Sequence, residues 1–276
     1  MNHSRAARRR VVGALDALGL RDTARLARDG LRLAQSGDLG LELQAVRSMT
    51  VPSTLPPARL VYLVTGRVSR LNYHESGRRA ADHFAQVLEL VGRKPEIGDR
   101  VLDFGCGCGR ILRWWDGSPA SFYGCDYNPD LVAWCAAHLP LAAVRTNSLE
   151  PPTGFESDFF DIIYAHSVLT HLVPSAQERW MQEWARMLRP SGVVLATTLG
   201  PTTCWQPGEP ESLEAHGTIV KSAQRNGENL CSVYNSATDV RCRLARSANL
   251  ELIAERPADM PDSGQDIWVF QKPDPT

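Results

Sequence analysis

Up to Pro95 the apolar positions recur at spacings of three and four, whereas beyond it they gather in short continuous runs. The first pattern predicts helices over 5–18, 22–35 and 40–48, then a break at Pro52, Pro56 and Pro57, then a helix over 58–66. The segment 75–92 gives the strongest helical pattern, with Ala81, Phe84, Val87, Leu88 and Val91 on one face and Gly92 and Pro95 ending it. The runs 100–104, 121–125, 141–145, 160–164 and 193–199 predict buried parallel strands, and helical patterns at 109–115, 128–138 and 175–188 lie between them. Strands alternating with helices imply an α/β chain with a parallel sheet and right-handed crossovers. Ser236 with Asp239 reads as a capping box for a helix to about Ala248. Runs 250–255 and 266–271 then follow with no helix between them, which predicts an antiparallel pair closing the sheet.

Composition narrows the class. A chain of 276 residues, 43% hydrophobic and 22% charged, is one large domain or one domain with an appendage, not a disordered or fibrous chain. No run approaches the roughly 18 apolar residues of a membrane span, and the basic segment Met1–Arg10 leads into no apolar signal core. Seven cysteines without a Cys-x-x-Cys pair fit a reducing compartment and argue against a metal site. The expectation is a soluble, cytoplasmic protein without metal. The net charge of −1 hides an asymmetry: residues 1–35 hold eight Arg against three Asp. That arm is either a nucleic-acid or acidic-partner surface or the wet face of a helix whose apolar side is Leu26, Leu31 and Leu33; no aromatic interleaves with its arginines.

The chemistry is concentrated where run 100–104 meets Asp103-Phe104-Gly105-Cys106-Gly107-Cys108-Gly109-Arg110. A strand passing straight into glycines turns sharply and lets a ligand approach its backbone, and a following helix would offer free N–H groups to an anion. The dinucleotide fingerprint Gly-x-Gly-x-x-Gly would need a glycine at Arg110, so the order is Asp-x-Gly-x-Gly-x-Gly instead. Asp126 follows at the end of the second strand, where a carboxylate can accept both ribose hydroxyls.

These motifs resemble the class I S-adenosylmethionine-dependent methyltransferases, of the small-molecule type. Asp103 to Gly109 is similar to that family's first motif, and Asp126 in Tyr123-Gly124-Cys125-Asp126 to its second acidic position. Asn147-Ser148-Leu149 stands where the family contacts adenine, commonly with Asp at the place of Asn147. Phe160 to Tyr164 followed by Ser167 to Leu172, and Met187-Leu188-Arg189-Pro190-Ser191-Gly192 with Ser191 for the usual Gly, complete the likeness over about 97–271. The resemblance implies a Rossmann-like seven-stranded sheet, mostly parallel with an antiparallel last strand, plus a helical N-terminal extension. Residues 97–276 would form the S-adenosylmethionine-binding methyltransferase domain and 1–96 the extension or lid.

For the site, the resemblance implies S-adenosyl-L-methionine as cofactor. Gly105, Cys106 and Gly107 would face its methionine part and Asp103 its ammonium, while Asp126 would hold the ribose. Tyr127, Asn147, Ser148 and Leu149 would border adenine, though Tyr127 also reads as a packing residue and Asn147 and Ser148 as turn residues. An acceptor hydroxyl or ammonium must lose its proton, which calls for a base near neutral pH. His171, just past the fourth strand, is either that base (or the group that positions the acceptor) or a histidine bonded to a backbone carbonyl; His166 borders the cofactor. Tyr73 at the sulfonium, and His74, Trp205 and Tyr234 at the substrate, would finish the pocket, with packing as the competing role. The expected activity is methyl transfer to an oxygen or nitrogen of a small molecule in natural-product or sugar-linked biosynthesis. An RNA- or protein-directed methyltransferase, or a cofactor-binding fold turned to a reaction such as cyclisation, is the alternative. The extension caps its own site or a neighbour's, which leaves a homodimer open.

Overall fold

A computed structural model describes residues 55–274 apart from Val68, Trp205, Ser222, Gln224, Arg225 and 228–230. The three helices expected before residue 50, the arginine-rich arm and Trp205 lie outside these residues. The chain divides into two compact units, 1–74 and 75–276.

In the first unit, α1 (Ala58–Thr65) buries Leu60, Val61 and Tyr62 and stops at Gly66, whose φ of 67° ends the helix in the left-handed conformation. Helix α2 (Arg70–Leu90) starts here and continues into the second unit.

The second unit is built on one seven-stranded sheet. Its strands are β1 (Arg100–Phe104), β2 (Ser121–Asp126), β3 (Ala142–Thr146), β4 (Phe160–Ala165), β5 (Leu188–Thr198), β8 (Glu251–Arg256) and β9 (Asp266–Gln271). They lie in the order β3-β2-β1-β4-β5-β9-β8. The first five pair in parallel, and β9 runs antiparallel to both β5 and β8. The expected closing pair is therefore present, and the sheet is the Rossmann-like one the motifs implied. Order reverses at β1, so the carboxyl ends of β1, β2 and β4 open onto one crevice, where ligands bind in such sheets.

Side chains alternate between two cores, as the period of two requires. Leu102, Phe104, Ile163, Val194, Trp268 and Phe270 face one side, which α4 (Pro174–Met187), the next helix after α3 (Pro129–His138), covers with Trp180, Met181, Trp184 and Met187. Val101, Ile162, Tyr164, Val193, Leu195, Ile267 and Val269 face the other, together with Ala81, Phe84, Val87 and Leu88 of α2. Phe84 is fully buried with its ring centroid 5.6 Å from that of Tyr164. Burial of this one side chain contributes about 2–3 kcal/mol.

Three local expectations are corrected. The helix over 109–115 reduces to turns and one 3₁₀ turn, Leu112–Trp115, because Gly109 at φ 74° interrupts helical geometry. A turn of that length offers no helix N-terminus for an anion. Strand β5 begins at Leu188, not residue 193, and Ser191 within it takes the left-handed φ of 60° that a glycine adopts most readily. The stretch 200–235, for which the sequence pattern predicts no element, holds α5 (Glu209–His216) and a two-stranded hairpin, β6 (Thr218–Lys221) with β7 (Ser232–Asn235). The helical stretch at 237–247 forms with Ser236 accepting from the Asp239 amide, and a π turn at Val240–Leu244 interrupts it. The Asp239 carboxylate turns to Asn235 and Arg243, so the capping box is half made.

Candidate active site

The glycine turn leans from β1 onto the end of β2: the amides of Gly105 and Cys106 both donate to the Cys125 carbonyl, at 2.8 and 2.9 Å. Gly105 has φ 77°, and a Cβ there would lie 2.6 Å from Val168 Cγ2 in the loop after β4. Neither the backbone conformation nor the space admits a side chain. Asp126 holds the far side of the turn. Its Oδ2 accepts from the Gly107 amide and its Oδ1 from the Asn128 amide, each at 2.9 Å. One lone pair per oxygen is left for further donors. Burial pushes the Asp126 carboxyl above its ordinary range, and those two amides oppose the shift.

Asp103 lies beneath the turn and is 3% exposed. Burial pushes its carboxyl up to about 7, against the pull of the nearby Tyr164 hydroxyl and the Arg110 guanidinium, and Asp126 adds to the rise. The buried Tyr164 hydroxyl has no partner at full hydrogen-bonding geometry. Asn147 joins the cluster through its amide, which donates to the Asp126 carbonyl at 3.1 Å. Its side-chain Oδ1 is buried with no partner, an acceptor awaiting a donor.

The two histidines beyond β4 have opposite proton arrangements. Arg110 Nη2 lies 3.0 Å from His166 Nδ1. A guanidinium only donates, so Nδ1 carries the lone pair and Nε2 the proton. His171 ends the 3₁₀ turn Leu169–His171, and its Nδ1 lies 2.7 Å from the Cys231 carbonyl. A carbonyl only accepts, so here Nδ1 carries the proton and Nε2 the lone pair. Burial holds both rings below the ordinary histidine value; Arg110 adds to this at His166, and the Cys231 bond opposes it at His171. Between them Ser167, at φ 59°, is clamped: its amide donates to Thr197 Oγ1, its hydroxyl accepts from Gln265 Nε2, and Thr197 donates to Gln265.

Asp103, Gly105, Cys106, Gly107, Asp126, Asn147 and His166 thus gather at the carboxyl edge of the sheet, with His171 on the turn following. Tyr127 and Leu149 are exposed at 39% and 45%, and Ser148 is exposed beside them. Tyr234 sits on β7, 5% exposed, with Lys221 Nζ 4.7 Å above its ring. Tyr73 and His74 are buried near the start of α2, in the first unit. Arg110, Thr197, Gln265 and the Cys231 carbonyl have no role assigned from the sequence. Arg110 alone had a local signal, its place directly after the last glycine.

Residues 102–196 match a methyltransferase domain. Over this region the chain is similar to the class I S-adenosylmethionine-dependent methyltransferases, and its sheet has their fold. The chain is 31% identical over 135 residues to the malonyl-[acyl-carrier protein] O-methyltransferase of Enterobacter lignolyticus, covering 44% of this chain and 51% of that protein. The chain therefore spans about half the length of that curated relative. A methyltransferase of Methanosarcina mazei shares the fold at TM-score 0.53 and 17% identity, covering 68% of this chain and 98% of that one. The 1,6-didemethyltoxoflavin-N1-methyltransferase of Burkholderia thailandensis does so at TM-score 0.52 and 17% identity, covering 74% and 85%. The family's cofactor is S-adenosyl-L-methionine, and the residues here fit it: a glycine cradle that a Cβ would fill, a buried carboxylate with spare lone pairs, and an orphaned acceptor on Asn147. No described helix is long and apolar enough to cross a membrane.

Proposed function

We propose that this protein is an S-adenosylmethionine-dependent methyltransferase that acts on an oxygen or nitrogen of a small molecule in a biosynthetic pathway, with His171 as the base. The observation that carries the reading is the Nδ1 contact to the Cys231 carbonyl, which leaves the His171 Nε2 lone pair as a proton acceptor. Its lowered pKa keeps the ring neutral, and so basic, at pH 7. The relative in Enterobacter lignolyticus is an O-methyltransferase, which supports oxygen as an acceptor atom. The near-zero net charge and the seven unpaired-pattern cysteines support a small acceptor and a cytoplasmic setting.

When bound, S-adenosyl-L-methionine supplies a methyl carbon activated by its sulfonium. Asp126 would hold the ribose hydroxyls, and Asn147 Oδ1 would accept from the adenine amine, with Tyr127, Ser148 and Leu149 at its edge. Gly105, Cys106 and Gly107 would let the methionine part pass close to the backbone, with its ammonium at Asp103. His166 would donate its Nε2 proton at the cofactor's border. His171 Nε2 would take the acceptor's proton as the nucleophile forms. Tyr234 on β7 would border the acceptor. Alignment of the acceptor and exclusion of water supply much of the acceleration in such a displacement.

His171→Ala tests the reading. Release of S-adenosylhomocysteine in the presence of panels of phenolic, carboxylate and amine acceptors should fall about 10²- to 10⁴-fold. Affinity for S-adenosylhomocysteine should stay nearly unchanged. Full turnover in this variant removes the base.

A further inference from the structure

The His171 turn is held by a buried polar network that no reacting group touches. Gln177 of α4 is fully buried. Its Nε2 donates to the Leu169 carbonyl at 2.8 Å, within the turn that ends at His171, and to Asn235 Oδ1 at 3.1 Å. Its Oε1 accepts from Asn235 Nδ2 at 3.1 Å and from Arg243 Nη2 at 2.7 Å. Gln177 and Asn235 therefore form a reciprocal amide pair. Asn235, also fully buried, is the last residue of β7, and its amide donates to the Leu199 carbonyl beyond β5. Arg243 projects from the π turn and is itself fixed by Asp239, Glu178 and the Pro174 carbonyl.

The other end of β7 meets the same turn. Cys231, next before the strand, offers the carbonyl that accepts from His171 Nδ1. Just upstream, the Gly227 amide donates to the His171 carbonyl at 2.7 Å, and Asn226 Oδ1 accepts from the Val173 amide at 2.8 Å. The hairpin is thus pinned at Asn235 by Gln177 and meets the histidine at Cys231. Three residues of extended strand, Ser232, Val233 and Tyr234, separate the two points, and a strand of fixed length transmits a fixed position.

We propose that Gln177 and Asn235 are positioning residues that set β7 against the Leu169–His171 turn, so that the Cys231 carbonyl holds the proton on His171 Nδ1. The role in catalysis rests on the reading of His171 as base; the tautomer does not. The pair places two independent restraints on one ring: Gln177 fixes the turn through Leu169, and Asn235 fixes the carbonyl that selects the tautomer.

The test reads the ring directly and needs no acceptor. Two-bond ¹H–¹⁵N spectra of the full-length ¹⁵N-labelled protein at pH 7.5 report which imidazole nitrogen carries the proton, and His171→Gln assigns the signal. The wild type is expected to show His171 protonated at Nδ1. Gln177→Glu keeps acceptors for Arg243 and Asn235 but cannot donate to Leu169; it should convert a large share of His171 to the Nε2–H form. Asn235→Ser should do the same while leaving the Gln177 bond to Leu169, and it serves where Gln177→Glu fails to fold. Gln182→Ala, at a solvent-facing position of the same helix with one bond to the Ser247 carbonyl, should leave the spectrum unchanged. A folded Gln177→Glu or Asn235→Ser protein with the wild-type His171 pattern overturns the proposal. Retained turnover in His171→Ala overturns the base assignment instead, so the two failures are distinguishable.

Discussion

Lowering the pH from 8 to 6 should weaken S-adenosylhomocysteine binding about tenfold, with Asp103 as the cause. This carboxyl is buried beneath the glycine turn, and burial pushes it up to about 7, outweighing Tyr164 and Arg110. Near neutrality the free protein therefore holds it about half protonated. If the ligand's ammonium pairs with Asp103, as the motif implies, the complex needs the ionised form and a protonated carboxyl must first lose its proton. With a pKa of about 7, the ionised share rises from about one-tenth at pH 6 to about nine-tenths at pH 8, and the apparent dissociation constant follows its reciprocal. His166 and His171 are both held below the ordinary histidine value, so their charge contributes little in this window. Asp126 is pushed in the same direction as Asp103, and the variant Asp103→Asn separates the two.

Calorimetry at pH 6, 7 and 8, in paired buffers of different ionisation enthalpy, measures both affinity and proton release. The wild type should release close to one proton per ligand at pH 6 and almost none at pH 8, whereas Asp103→Asn should bind more weakly with a flat profile. A flat wild-type profile, or an unchanged slope in Asp103→Asn, would refute the assignment. Stability supplies an independent check with the opposite sign. An acid whose folded pKa lies above its unfolded value holds more protons when folded, so stability declines as pH climbs from about 4 through about 7. The rise from 3.8 to about 7 is worth at most about 4 kcal/mol. Ligand-free Asp103→Asn should therefore melt above the wild type at pH 8, with the gap closing toward pH 4.

Other changes probe neighbouring parts of the site and fold. Asp126→Ala removes the acceptor for the Gly107 and Asn128 amides and should weaken S-adenosylhomocysteine binding at least about tenfold; unchanged affinity by calorimetry would overturn the ribose assignment. Ser191→Gly relieves a φ of 60° and should raise unfolding free energy by about 1 kcal/mol, less what the lost Ser191–Asp274 bond contributed; a lower urea midpoint would contradict this. Gly109→Ala places a Cβ 2.1 Å from Leu139 Cδ1 at φ 74° and should cost about 2 kcal/mol or more; an unchanged midpoint would show that the turn is looser than its geometry.

The sheet was legible because its strands are continuous apolar runs bounded by glycine and proline, and buried parallel strands produce that pattern wherever they occur. The β6–β7 hairpin escaped because each strand has four residues and Thr218–Lys221 is only half-buried, too short a pattern to show a period. The helix over 109–115 was over-read for a related reason: Ile111, Leu112, Trp114 and Trp115 have helical spacing, but Gly109 already stands in the left-handed region. Candidate site residues divide along the same line. Asp103, the glycines and Asp126 announce themselves by their spacing within a short stretch of chain. Gln265 lies 98 residues from the Ser167 it clamps, and Gln177 lies 58 from Asn235.

The two histidines show what such distances decide. His166 and His171 are five residues apart and of the same type, and the sequence around them does not distinguish their chemistry. Arg110, 56 residues upstream, fixes a lone pair on His166 Nδ1 and so makes its Nε2 a donor. The Cys231 carbonyl, 60 residues downstream, fixes a proton on His171 Nδ1 and so makes its Nε2 an acceptor. The seven cysteines were read for their thiols, yet the group of Cys231 that reaches this site is a backbone oxygen, which any residue type would supply. No side-chain pattern encodes it. It is set by where β7 sits, and β7 in turn is set by the amide pair of Gln177 and Asn235. A base assignment from sequence can therefore name the ring, but its usable nitrogen depends on long-range packing that only the folded chain provides.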